Sequence, residues 1–177
     1  MKRATAVALA LFAIFSLAAA LAASLRAGPP EQLRTFDAFL QALEAGRSVR
    51  AVIHYAKCRL VIDGKDEKAP DAVGGMDFRT FEYFAAGSVG NPRGFVSTSE
   101  TVLISHPRYG YVQNYVKIRV YEDHAVEITA RYLDPRTLKV VMDETFYGSI
   151  DDGRNGGGVA LFAADGPVPQ MGIRGLL

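Results

Sequence analysis

The chain has 177 residues, with 20 basic and 19 acidic side chains and a single cysteine. That length suits one domain around one hydrophobic core, and a net charge of +1 gives no electrostatic ground for nucleic acid as a partner. One cysteine excludes an intrachain disulfide, so packing alone has to hold the fold.

Lys2 and Arg3 precede an uncharged stretch, Ala4 to Ala23, rich in Ala and Leu. A positive start, an apolar middle and the small-x-small pattern Ala20-Leu21-Ala22 read as an export signal over residues 1–22, cut after Ala22 or Ala23. The stretch is also nearly long enough to span a bilayer, so an uncleaved signal is the alternative and the sole expected route to a membrane. In both cases the remainder is expected in the periplasm or outside the cell. Loss of Lys2 and Arg3 leaves the mature chain with one net negative charge.

Residues 23–34, with Gly28-Pro29-Pro30, read as a linker. Residues 35–163 read as a single domain and residues 164–177 as a loose tail. Phe36, Phe39, Leu40 and Leu43 recur at helical spacing, with Thr35 placed to cap the start and Gly46 to end it. Val49 to Asp63 is rich in β-branched residues. A hairpin turning at Ala56-Lys57 would set Ile53 opposite Leu60 and Tyr55 opposite Cys58, with Arg50, His54 and Arg59 outside; a single long strand with a bulge near Ala56 fits equally. Gly64 to Gly75 is a polar loop. Phe78, Phe81, Tyr83 and Phe84 form an aromatic cluster of unassigned structure. Phe95 to Ser105 reads as two short strands or one broken one.

From Val112 to Ile150 apolar and polar residues alternate, the mark of strands with one face on a core. Val112, Val116, Ile118 and Val120 share one face of the first strand; Val126, Ile128, Ala130 and Tyr132 share one face of the second. A two-residue turn at Asp123-His124 would set Val120 against Glu127 and mix the faces. The three-residue loop Glu122-Asp123-His124 sets Val120 against Val126, Ile118 against Ile128 and Arg119 against Glu127, and puts His124 in the left-handed position. Asp134-Pro135-Arg136 makes the next turn. Leu138, Val140, Met142, Phe146 and Ile150 then continue the apolar face, followed by a Gly-rich loop, Asp151 to Gly158, and a last strand, Val159 to Phe162. The expected fold is mainly β with a minor helical part: one short N-terminal helix and an antiparallel meander curling into a closed or partly open β-barrel.

Several stretches together resemble the VirK family, named for a gene in the virulence regulon of plant-transforming bacteria. They are Tyr55-Ala-Lys-Cys58, Ala69-Pro-Asp-Ala-Val-Gly-Gly-Met76 with Phe81-Glu-Tyr-Phe84, His106-Pro-Arg-Tyr-Gly-Tyr111, and Ile128-Thr-Ala-Arg-Tyr-Leu-Asp-Pro135 followed by Asp143-Glu-Thr-Phe-Tyr-Gly148. The resemblance covers about Phe36 to Phe162. It implies a small exported protein with no established enzymatic activity or cofactor, and it supplies no catalytic residues.

The residues themselves point to binding rather than catalysis. Cys58 reads as a small core residue, because in the hairpin register its side chain and that of His54 point to opposite faces. The histidines, His54, His106 and His124, show no metal-ligand spacing, so neither a metal nor a cofactor is expected. Asp151-Asp152-Gly-Arg-Asn155 lacks the further carboxylates of a calcium loop and reads as a turn. Five residues are candidates for ligand binding. Glu144 falls on the apolar face between Met142 and Phe146, where a carboxylate needs a partner or a raised pKa; a rim position or a bulge near Asp143 is its bland reading. Asn114 lies similarly on its strand, though not beside Glu144. His106, Arg108 and Tyr109 form a polar, aromatic loop. The leading expectation is a non-enzymatic module for a small ligand, or for an envelope or host protein. The alternatives are an acid–base enzyme, hydrolase-like, built on Glu144, and a structural or secretion-associated envelope factor.

Overall fold

The computed structural model describes residues 29–164. The expected export signal, the first part of the linker and the tail beyond Ala164 lie outside the described residues. The elements run β1 (Glu31–Leu33), α1 (Phe36–Glu44), β2 (Ser48–His54), a 3-10 turn (Tyr55–Lys57), β3 (Arg59–Ile62), β4 (Lys65–Glu67), β5 (Val73–Asp77), β6 (Glu82–Phe84), β7 (Phe95–His106), β8 (Gly110–Tyr121), β9 (Ala125–Leu133), β10 (Val140–Ser149) and β11 (Val159–Ala164).

These strands form two antiparallel sheets. The short sheet has the order β1-β11-β2-β5 and the long sheet the order β4-β3-β10-β9-β8-β7-β6. The protein is mainly β with one α-helix, as expected, but the described residues form no closed barrel. β7 to β10 do form a sequential meander. The two sheets bury a common core of Val49, Ala51, Ile53, Val159 and Leu161 from one side and Ile118, Val120, Val126, Ile128 and Phe146 from the other. Two sheets of unequal length replace the barrel because the chain changes sheet between β2 and β3.

That change of sheet corrects the expected hairpin at Ala56-Lys57. Ile53 pairs with Val159 and Gly74, while Leu60 pairs with Phe146 and Glu67. The 3-10 turn carries the chain across, and its Tyr55 ring rests on Phe146 at 4.8 Å. Alternation could not reveal this, since Ile53, Cys58 and Leu60 are buried in either arrangement. Part of the expected linker is also structured. Leu33 is 2% exposed and opposite Leu161, so Glu31–Leu33 forms the short sheet's edge.

The helix follows its signals. Thr35 accepts a bond from Ala38 N–H at 3.2 Å, and the stripe Phe36, Phe39, Ala42 and Leu43 is buried. At the other end Gly46 takes a φ of 72°, while its N–H donates to Leu43 O and that of Arg47 to Ala42 O. That pair of bonds satisfies the last carbonyls of the helix and requires a left-handed residue, hence the glycine.

The hairpin register also holds. Val120 faces Val126, Ile118 faces Ile128, Arg119 faces Glu127 and Tyr115 faces Arg131, with His124 at φ 69°. Phe95–His106 is one continuous strand rather than two. Leu138 does not continue the apolar face: it sits in the turn at φ 58°, 63% exposed. The turn is wider than Asp134-Pro135-Arg136, because Asp134 N–H reaches Lys139 O and its Oδ1 accepts from Arg136 and Thr137 N–H. Val140 is also exposed, and a bulge between Val140 and Met142 resets the strand, so that Met142 enters on the inner face.

Between β10 and the start of β11, two glycines make room for one thiol. Cys58 is buried and its Sγ points at His54 O, 3.7 Å away. A Cβ on Gly148 would lie 2.9 Å from that sulfur, and one on Gly158 2.6 Å. Gly148→Ala should therefore destabilise by about 1–3 kcal/mol, the usual cost of overpacking. In a Cys58→Ala background the same change should cost far less. Chemical denaturation of the two single variants and the double variant reads the coupling, and additive losses would contradict this packing.

Candidate functional site

The short sheet covers only part of the long sheet's inner face. Alternate residues of β7 to β10 point inward, and ladder partners place them in rows. The row Thr98, Ile118, Ile128 and Phe146 lies under the short sheet and is buried. The next row reads Glu100, Val116, Ala130 and Glu144; the one beyond reads Val102, Asn114, Tyr132 and Met142. These side chains are exposed or half-buried, so the face opens within one step along the strands; farther on, Val112, opposite Ile104, is buried again at 2% exposure.

Aromatic rings frame the transition. Tyr55 leans over from the 3-10 turn, and its ring fills the space beside Gly74, where a Cβ would come within 2.9 Å. Tyr132 meets the His106 ring at 5.1 Å and the Tyr109 ring at 5.9 Å, while His106 and Tyr109 lie 4.9 Å apart. His106 Nδ1 accepts from the N–H groups of Arg108 and Tyr109, at 3.1 and 3.3 Å. These bonds tie the loop back over the inner face and suit the tautomer with its proton on Nε2. Arg108 stays exposed, with its guanidinium 5.4 Å from the Tyr109 ring. Between the sheets a hollow of about 200 Å³ is lined by Ile53, Tyr55, Gly74, Glu100, Asn114 and Val116, among others.

Glu144 is half-buried on this face and has neither a hydrogen bond nor an ion pair among the described residues. The bulge lies upstream, between Val140 and Met142, and leaves Glu144 pointing inward rather than turning it out. Burial pushes its carboxyl up from the ordinary carboxylate value. It also pushes up the Tyr55 and Tyr132 hydroxyls, with the Glu144 charge adding to both. The expected site residues thus share one surface: Glu144, Asn114, His106 and Tyr109 lie on or fold over it, and Arg108 sits at its rim. Asn114 and Glu144 are not neighbours, since β9 runs between them with Tyr132 opposite Asn114. Tyr55, Tyr132 and Glu100 complete the surface. Tyr132 had a sequence signal, its inward position, whereas Tyr55 depends on the change of sheet and Glu100 on the continuity of β7.

Other features hold no comparable chemistry. Two hollows of about 290 and 380 Å³ are lined partly by arginines that are paired: Arg47 with Glu31, Arg79 with Asp77 and Arg93 with Asp123. Among the described residues no three His, Cys, Asp or Glu side chains group as a metal site. Asp152 in the Gly-rich loop spends its carboxylate on the N–H groups of Asn155 and Arg154, which hold its pKa below the usual value.

A family model described as VirK protein matches residues 32–138. The chain belongs to the VirK family. A crystal structure of a VirK family protein from Legionella pneumophila has the same fold, with a TM-score of 0.57 at 15% identity, covering 74% of this chain and 98% of that one. No curated protein matches. The family match runs through Tyr55, His106, Asn114 and Tyr132 and ends before Glu144.

An unpaired, half-buried carboxylate has a stability signature. The folded chain holds the Glu144 proton to a higher pH than the unfolded chain, so stability falls as pH rises through the interval between the two pKa values, and the penalty persists at neutral pH. Glu144→Gln removes it. The unfolding temperature of this variant should exceed that of the wild type at neutral pH and converge with it near about pH 3, below the ordinary carboxylate range. Scanning calorimetry across that range checks this; a less stable variant at neutral pH would contradict a desolvated, unpaired Glu144.

Proposed function

We propose that this VirK family chain is an exported, non-enzymatic binding protein that holds a small polar ligand on the open inner face of its long sheet. The observation that carries this reading is Glu144: a half-buried carboxylate with no hydrogen bond or ion pair among the described residues, close enough to Tyr55 and Tyr132 for its charge to raise both hydroxyls. Burying a charge without compensation lowers stability, and folds tolerate such positions where a ligand supplies the missing partner. A donor or cationic group on the ligand meets Glu144, the Tyr55, Tyr132 and Tyr109 rings pack against its apolar or cationic parts, and Asn114 adds one donor and one acceptor. Export rests on the Lys2-Arg3 start and the apolar stretch that follows it.

An acid–base enzyme built on Glu144 has weaker support. The other carboxylate on this face, Glu100, lies three strand steps away, about 14 Å at the usual strand spacing, too far for a shared catalytic task. Among the described residues no side chain bonds Glu144 to orient or deprotonate it. A purely structural envelope role leaves the unpaired carboxylate without a reason.

Native mass spectrometry of the purified protein tests the binding reading. A bound small molecule should appear on the wild type and be lost or much reduced in Glu144→Gln and Tyr132→Ala. Loss on Tyr132→Ala with full retention in Glu144→Gln would place the ligand on the aromatic rings alone and overturn the role given to the carboxylate. A wild type that carries nothing, and that no small cationic or hydroxyl-rich compound stabilises against heat, would overturn the whole reading.

A further inference from the structure

β7 has a neighbour on both sides over its first residues only. β6 pairs with Phe95 to Ser97, and the Thr98 hydroxyl donates to Thr80 O at 2.6 Å. Beyond Thr98 the strand has β8 on one side and, among the described residues, no strand on the other. Glu122 N–H donates to Gly94 O, so antiparallel alternation turns the backbone groups of even-numbered β7 residues toward β8. Ser99, Thr101, Leu103 and Ser105 therefore present their N–H and C=O groups to the open edge. This stretch has no proline, no lysine and no bulge, and its Val102 and Leu103 are 48% and 56% exposed.

Such an edge is a template for another strand, and proteins normally blunt it. The remaining edges here are blunted. β1, β4 and β6 are three residues long, β4 is Lys-Asp-Glu, β5 contains Gly74-Gly75, and the free start of β10 carries the bulge.

We propose that a second copy of this chain pairs along the open edge, β7 against β7, antiparallel about a two-fold axis at Val102. That axis maps the open positions onto one another: Ser99 meets Ser105 of the mate and Thr101 meets Leu103, so each outward donor and acceptor finds a partner. Neighbouring symmetric registers fail. An axis at Thr101 would direct Ser105 to Ser97, which β6 already holds, and an axis at Leu103 would direct Ser99 to Pro107, which has no N–H. At Val102 no like charges face each other, because Glu100, the only charged residue of the open stretch, lies opposite Ile104. Glu100 points into the open mouth, and the edge has no cluster of one sign that would select an oppositely charged partner. The pairing joins the inner faces of two long sheets edge to edge.

Sedimentation velocity of the full chain, from low to high micromolar concentration, tests this. The wild type should show a reversible monomer–dimer equilibrium. Thr101→Pro removes an N–H that faces the mate and none that faces β8, so the variant should keep its circular dichroism and associate at least about tenfold more weakly. Leu103→Lys, an exposed substitution on the same edge, should weaken association as well and serves if the proline variant misfolds. A wild type that stays monomeric throughout, or association unchanged by both substitutions, overturns the proposal.

Discussion

Every strand residue must send its side chain to one face or the other, and in β7 to β10 the inner half of that choice needs a cover. The short sheet supplies cover over part of the length only. Tyr55 on Phe146 and Cys58 between Gly148 and Gly158 pin the two sheets at one level, and the long strands run on past it. The core and the candidate site are therefore the same face of the same sheet, separated by where the shorter sheet stops. Ile128 and Tyr132 lie on one strand face, one wholly buried and the other half-buried among rings.

The mouth of this arrangement is polar because water still reaches it. Glu100, Asn114 and Glu144 occupy inward positions that a fully covered sheet would fill with aliphatic side chains. Their neighbours are tyrosines and a histidine, which pack like hydrophobes and keep a polar tip. Membership in the VirK family and a shared fold with a Legionella pneumophila protein place this architecture among relatives. Fold alone does not assign a ligand, so the functional reading rests on the side chains that the open half displays.

Local physics was legible in the chain itself. Thr35, the Phe36-Phe39-Leu43 stripe and Gly46 define the helix through capping and periodicity, and the buried faces of β8 and β9 fix their register and force His124 into the left-handed region. Long-range choices were not legible. Whether Ile53 pairs with Leu60 or with Val159 depends on which sheet each strand joins, and both arrangements bury the same residues. The strand Glu31–Leu33 hides beside two prolines, and the bulge after Val140 leaves no mark in an alternating pattern that resumes unchanged. At the site, period-two counting placed Glu144 and Asn114 on the inner face. Tyr55 and Glu100 emerged only once the two sheets were set against each other.

Amide hydrogen exchange along β7 to β10 tests the half-covered face most directly. Amides at Val96, Ile118, Val126, Ile128 and Phe146, under the short sheet, should exchange only through global unfolding. Those at Val102, Leu103, Gln113, Asn114 and Tyr132 should exchange faster, through local opening of the uncovered half. Equal protection along both halves of these strands would contradict the division into core and open face.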